Sequence, residues 1–198
     1  MKEVVIASKN AGKIAEIAVA LQDLPVKVIS LAELGEIPEA VEDGATFVEN
    51  ALTKARFYAG YTGKACLADD SGLEVDALGG EPGVYSARYA GESATDAQNN
   101  AKLLAKLKAA GSEKRTARFR CVLAFVDANG QTLTADGVCE GEILDAPCGA
   151  GGFGYDPLFY IPALGQTLAQ ISIAEKNTIS HRGAALRNIA GQLEKYFR

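Results

Sequence analysis

At 198 residues, the chain is long enough for one domain or two closely joined lobes. Folding would bury about 70% of its unfolded surface, so no disulfide or metal staple is needed. A 48% hydrophobic and 23% charged composition is that of a soluble globular protein, and no apolar run approaches the ~20 residues of a membrane span. A net charge of -5 argues against nucleic-acid binding, which relies on a basic surface to release counterions.

Met1 to Ala7 enters a strand-like run directly, without the longer apolar stretch and cleavage site of a secretory signal, so a cytoplasmic location is expected. Val4 to Ala7 and Val26 to Ile29 read as short buried strands with a helical pattern from about Ala11 to Leu21 between them, a β-α-β opening. Thr46-Phe47-Val48-Glu49 has the Ser/Thr-x-x-Glu form of a capping box, which starts a helix expected to run to about Gly60. Ala65 to Ala68 reads as a strand. Thr95 to Ala110 reads as a helix with Leu103, Leu104 and Leu107 on its apolar face, ended by Gly111. Arg118 to Val126 and Leu133 to Ile143 read as strands joined through Asp127-Ala128-Asn129-Gly130, whose Asn-Gly pair favours a tight hairpin. A last helix starts near His181 and runs to the terminus. The hairpin breaks the β-α alternation, so the expected fold is α/β, a mixed central sheet flanked by helices in a single domain of two lobes around a cleft.

Cys66, Cys121, Cys139 and Cys148 show no Cys-x-x-Cys spacing, and His181 is the only histidine. That pattern offers no zinc site, and the thiols are expected to be reduced and mostly buried.

Four segments carry the chemistry. Ser8-Lys9-Asn10-Ala11-Gly12-Lys13 lies where the first strand turns into the first helix, where free N–H groups and the helix dipole can meet a phosphate and Lys13 adds a full charge. It lacks the Walker pattern, and an ordinary cap with a solvated lysine is the competing interpretation. Asp69 and Asp70 end a strand and point to opposite sides of it, so at most one faces a given cleft. Glu42 and Asp43 precede the capped helix, and a carboxylate there could join Asp70 around a hard cation such as Mg2+, although turn and cap roles compete with that use. Lys54, in a largely apolar helix segment, could reach a phosphate or merely snorkel to water. Gly149-Ala150-Gly151-Gly152-Phe153-Gly154 has the glycine spacing of a dinucleotide fingerprint, but Asp156-Pro157 follows and no helix opens behind it, which rejects a Rossmann site. A glycine-rich loop bearing Phe153 and Tyr155 instead suits close backbone approach and stacking on a flat base, with a tight turn holding core aromatics as the alternative. Ser180-His181-Arg182, after Glu175-Lys176-Asn177, adds donors for an anionic, hydrogen-bonding ligand. Together these residues describe a nucleotide binder.

In this order, the segments resemble the inosine/xanthosine triphosphate pyrophosphatase family over nearly the whole chain. The resemblance rests on Ser8-x-Asn10-x-x-Lys13, Glu42-x-Gly44-x-Thr46-Phe47-x-Glu49-Asn50-Ala51-x-x-Lys54-Ala55, Asp69-Asp70-Ser71-Gly72-Leu73, Leu78-Gly79-Gly80-x-Pro82-Gly83, Gly152-Phe153-Gly154-Tyr155-Asp156-Pro157 and Glu175-Lys176-Asn177-x-x-Ser180-His181-Arg182. Ser8 replaces the family's usual threonine and keeps its hydroxyl; Lys9 occupies a variable position. The resemblance implies a homodimer that hydrolyses ITP, dITP and XTP to the monophosphate and pyrophosphate, with no nucleic-acid or membrane partner. Carried over residue by residue, Ser8, Asn10, Lys13 and Lys54 would hold the triphosphate, with Lys9 also in the substrate set, and Glu42 and Asp70 would ligate Mg2+. Asp70 would also be the candidate base. Ser71, Gly154, Tyr155, Asp156, Lys176 and His181 would join the substrate set, with Phe153 stacking on the base. Arg182, which only donates, would read the O6 acceptor of hypoxanthine and xanthine and be left unpaired by adenine's amino group. Two other readings compete: a catalytically silent nucleotide binder, and a Maf-like pyrophosphatase acting on canonical or modified pyrimidine nucleotides. Retention of Lys13, Glu42, Lys54 and Asp70 together disfavours the first; the segments around Phe153 and His181 disfavour the second.

Overall fold

The computed structural model describes residues 2–197. In chain order it contains β1 (Lys2–Ile6), α1 (Ala11–Leu21), β2 (Val26–Ser30), α2 (Phe47–Thr62), β3 (Ala65–Val75), α3 (Asp96–Ala110), β4 (Thr116–Val126), β5 (Thr132–Ile143), β6 (Phe159–Ile161), β7 (Gln166–Thr167), α4 (Ile173–Ile179) and α5 (His181–Phe197), with short 3-10 turns between them. Among the described residues, seven strands hydrogen-bond in the order β2-β1-β3-β4-β5-β6-β7. β1 runs parallel to both β2 and β3, whereas β6 is antiparallel to β5 and to β7. The sheet is therefore mixed, and helices flank it.

The β-α-β opening forms because Val4, Val5 and Ile6 are buried in succession, as a strand covered on both faces requires. α2 begins where the capping box places it: the Thr46 hydroxyl accepts from the Glu49 N–H, and the Glu49 carboxylate accepts from the Thr46 and Ala45 N–H groups. The helix stops at Gly63, which adopts the left-handed conformation that a residue with a side chain resists. β3 runs seven residues beyond the expected Ala68, because the polar run Asp69-Asp70-Ser71-Gly72 stays extended within the sheet. The turn between β4 and β5 also differs. Gly130 has φ +84° and Asn129 does not share a positive φ, so this is not the two-residue turn that the Asn-Gly pair favours. The Asp127 carboxylate closes a wider loop by accepting from the Asn129 and Gln131 N–H groups. α5 follows the expected last helix to Phe197, and the final residue of that expectation, Arg198, lies outside the described residues.

The chain divides into two compact units, Met1–Asp70 with Cys121–Gly137 and His181–Arg198, and Ser71–Arg120 with Val138–Ser180. Each has its own core. In the first, Ile6, Ile17, Leu67, Leu123, Phe125, Leu186 and Ile189 pack together beneath α1 and α5. In the second, Leu73, Leu103, Leu107, Phe119, Tyr155, Leu158 and Phe159 do so. Among the described residues, no helix is long and apolar enough to cross a membrane.

Candidate active site

In the first unit, α2 supplies a buried stripe at helical spacing, Phe47, Asn50, Ala51, Lys54, Ala55 and Tyr58. Asn50 and Lys54 are the charged or amide positions on it, and both are fully committed. Asn50 donates to the Asp70 carboxylate at 3.1 Å and accepts from the Gly44 N–H at 2.8 Å, joining the loop that carries Glu42 to the strand that carries Asp70. Lys54 lies 2.7 Å from the Glu42 carboxylate and donates to the Asp69 carbonyl at 3.0 Å. Burial opposes its charge, yet Asp69, Glu42 and Asp70 outweigh that and hold its pKa above the ordinary lysine value.

The two aspartates of β3 take different partners, as strand alternation requires. Asp69, 1% exposed, meets Lys13 of α1 at 3.0 Å and Arg182 of α5 at 3.2 Å. Asp70 meets Asn50. Burial pushes the Asp70 carboxyl above the usual aspartate range, against the pull of Lys54, Lys13 and the Asn50 hydrogen bond; nearby Glu42 pushes the same way as burial. Four carboxylates (Glu16, Glu42, Asp69 and Asp70) thus face three cations (Lys13, Lys54 and Arg182), and the group carries one net negative charge.

Ser8 and Asn10 shape the entry to α1. The Ser8 hydroxyl accepts from the Asn10 N–H, and the Asn10 side chain caps the helix by accepting from the Lys13 N–H at 3.0 Å. The first turn of α1 holds no acidic residue, which leaves its positive dipole end uncompensated. Lys9 is exposed and pairs with Glu39 at 2.7 Å, turned toward that loop.

Arg182 follows His181 at the start of α5. It is 1% exposed, and its guanidinium is ion-paired with Glu16 and Asp69 inside the first unit. Burial works against its charge, but the two carboxylates dominate and raise its pKa. His181, also buried, opens α5. The sheet passes so close here that a Cβ on Gly137 would collide with the His181 carbonyl and the Ala185 nitrogen.

In the second unit, Asp156 organises the glycine-rich loop. Its carboxylate accepts from the Phe153 N–H at 2.9 Å and from Lys176 at 2.7 Å, with both charged side chains buried. A Cβ on Gly152, whose φ is +72°, would strike that carboxylate. The Lys176 ammonium also stands 4.4 Å from the centre of the Phe153 ring. Tyr155 is buried, and its hydroxyl donates to the Ser86 carbonyl at 2.8 Å, which braces the core of the second unit. Ser71 lies within β3, half-buried.

Residues 4–192 match the Ham1 family. The chain belongs to the Ham1 family. Among its Ham1 relatives is a Geobacter sulfurreducens protein named dITP/XTP pyrophosphatase, 53% identical over 186 residues that cover 94% of each chain. The fold matches that of a HAM1 protein from Coxiella burnetii, with a TM-score of 0.90 at 48% identity, covering 98% of this chain and 100% of that one. It also matches a nucleoside-triphosphatase, dITP/XTP pyrophosphatase, of Mycobacterium abscessus, with a TM-score of 0.75 at 43% identity over 94% of this chain and 98% of that one. Two structural partners in this Ham1 chain are not evident from its motifs. Glu16 reads as one polar position in a helix, and Asn50 as part of a motif without a role; the signal for each is a polar residue on an otherwise apolar helical stripe.

Proposed function

We propose that this chain hydrolyses dITP, XTP and ITP to the nucleoside monophosphate and pyrophosphate, clearing deaminated purines from the nucleotide pool. The observation that carries the reading is the buried group around Lys54, with Glu42 on its ammonium, the Asp69 carbonyl beside it and Asp70 close by. Relatives named dITP/XTP pyrophosphatase at about half identity over nearly the full chain support the same activity.

A triphosphate brings about four negative charges to a group that already carries one, so binding needs added positive charge. The donor set fits Mg2+: two carboxylates, Glu42 and Asp70, leave room for the waters that this cation retains. When bound there, Mg2+ supplies Lewis-acid polarisation of the phosphoryl oxygens and offsets charge on the departing pyrophosphate. Lys13 and Lys54 hold the phosphates, and the α1 N-terminus shaped by Ser8 and Asn10 offers N–H groups to the chain of oxygens. Asp70 accepts a proton from the attacking water.

For the base, the proposed roles fall in the second unit, with Phe153 as a stacking face and Lys176 as the donor toward O6. Adenine, with an amino group at that position, would leave a buried donor unpaired, a mismatch worth ~10⁴-fold where the site is built around the hydrogen bond. Arg182 is a positioning residue, fixing Asp69 and through it Lys13. The proposed setting is cytoplasmic, and the proposed assembly is a homodimer, which light scattering in solution tests.

Hydrolysis of ITP in 18O-labelled water tests the reaction type. Label in the monophosphate, with pyrophosphate as co-product, is the expected result; label in orthophosphate or pyrophosphate would contradict attack at the α-phosphorus.

A further inference from the structure

The residue after Phe153 is held by both of its backbone polar groups. Gly154, in the left-handed region at φ +61°, donates its N–H to the Asp96 carboxylate at 2.7 Å and accepts at its carbonyl from the Asn100 amide at 3.0 Å. Asp96 and Asn100 stand four residues apart, on one face of the first turns of α3. Neither belongs to the motifs that define the nucleotide site.

The helix that provides this grip is itself fixed. Thr95 and Gln98 form a capping box at its start. Asn99 accepts from the Ala90 N–H at 2.8 Å and donates to the Ala87 carbonyl at 3.1 Å, next to Ser86, whose carbonyl accepts from Tyr155. The loop around Phe153 is therefore tied to α3 directly, and again through the segment after Gly83. On the other side of Phe153 stand Asp156 and Lys176. A cavity of about 490 Å³ is lined by Asp96, Asn100, Phe153 and Gly154 among others, so the clamp forms part of a wall open to a ligand.

Resting on the function proposed above, we propose that Asp96 and Asn100 are positioning residues for base selection. A glycine has two mirror-related backbone regions available, and an unheld Gly154 can turn its peptide plane. That turn would swing the Phe153 ring and misalign the base edge with Lys176. Discrimination at position 6 depends on that alignment, whereas the phosphate-binding residues lie elsewhere in the chain and are untouched.

The test compares steady-state kinetics on dITP and dATP for the unaltered protein, Asp96→Ala, Asp96→Asn and Asn100→Ala, with thermal unfolding recorded for each. Base–aromatic stacking is worth enough that its disturbance should raise KM for dITP by about tenfold. The expected split is a raised KM, a lowered dITP-over-dATP ratio and a kcat within about twofold, because this clamp makes no contact with the reacting phosphates. Asp96→Asn keeps a carbonyl acceptor for the Gly154 N–H and should restore the ratio, which separates the hydrogen bond from the charge. Asn100 is buried, and should its alanine variant fail to fold, exposed Asp96 carries the test alone. Folded variants with unchanged KM and ratio would overturn the proposal, as would an Asp96→Asn variant as impaired as Asp96→Ala. An unaltered protein inactive on every nucleotide would overturn the function and this assignment with it.

Discussion

Asp70, the proposed base, shows how a buried carboxylate is held at a cost to stability. Its folded pKa lies above that of an unfolded aspartate, chiefly because it is buried. A carboxyl with a raised folded pKa favours folding only while protonated, so once pH rises through the folded value its ionised form weighs against the fold. Asp70→Asn should therefore raise the thermal midpoint at pH 7, and the gain should shrink as pH falls toward the acid side of that pKa. The same substitution should lower kcat by about 10²- to 10³-fold, the loss typical of removing a group that stabilises charge at the reacting centre. A midpoint that falls at pH 7 would show that the Lys54 and Asn50 contacts outweigh burial.

Arg182 illustrates the opposite balance. Arg182→Met leaves Glu16 and Asp69 buried without their shared cation, and urea denaturation should show a loss of ~3–5 kcal/mol. Adding Glu16→Gln removes one of those two buried charges and should recover part of the loss, a coupling that additive effects would not give. This role is not legible in the sequence. A histidine-arginine pair at a helix start reads as ligand-binding, and nothing local says that an arginine will be swallowed by an ion pair with Glu16, 166 positions away. The Tyr155–Ser86 bond is illegible for a similar reason, since a glycine-rich loop signals backbone approach but not which of its two aromatics faces inward.

At the scale of elements, α5 offers a matched pair of glycine tests around its docking on β5. Gly137 lies where a side chain would strike the His181 carbonyl, so Gly137→Ala should displace the first turn of α5 and cost about 1–3 kcal/mol. Gly191, inside α5, has open space where a Cβ would stand, and its replacement by alanine should gain about 0.5–1 kcal/mol. Thermal unfolding of both variants checks the two signs. α1, α2, α3 and α5 are legible because each combines an apolar stripe with a cap or stop signal. The extension of β3 is not, since Asp69-Asp70-Ser71-Gly72 has the composition of a turn and only pairing within the sheet keeps it extended. β6 and β7, three and two residues long, are too short to show a period. α4 does carry a signal, the Ser172-x-x-Glu175 capping box, which is easily overlooked beside the lysine behind it.

Over the whole molecule, the acidic balance and the chemistry are consistent. Lys13 and Lys54 in the first unit and Lys176 in the second are each paired with a carboxylate, so a cation must accompany an anionic substrate, while the net charge of -5 offers little to nucleic acid. Each unit has its own apolar core, so the buried charges around Lys54 and the Asp156–Lys176 pair sit in scaffolds that do not depend on them for hydrophobic stability. That these charges serve one substrate class is tested most directly by kcat/KM for pyrophosphate release from dITP, XTP, dATP, dGTP, dCTP and UTP, measured side by side with Mg2+. dITP and XTP are expected to exceed dATP by about two orders of magnitude or more on the strength of the O6 hydrogen bond; equal turnover of dATP, or a preference for the pyrimidine nucleotides, would contradict it.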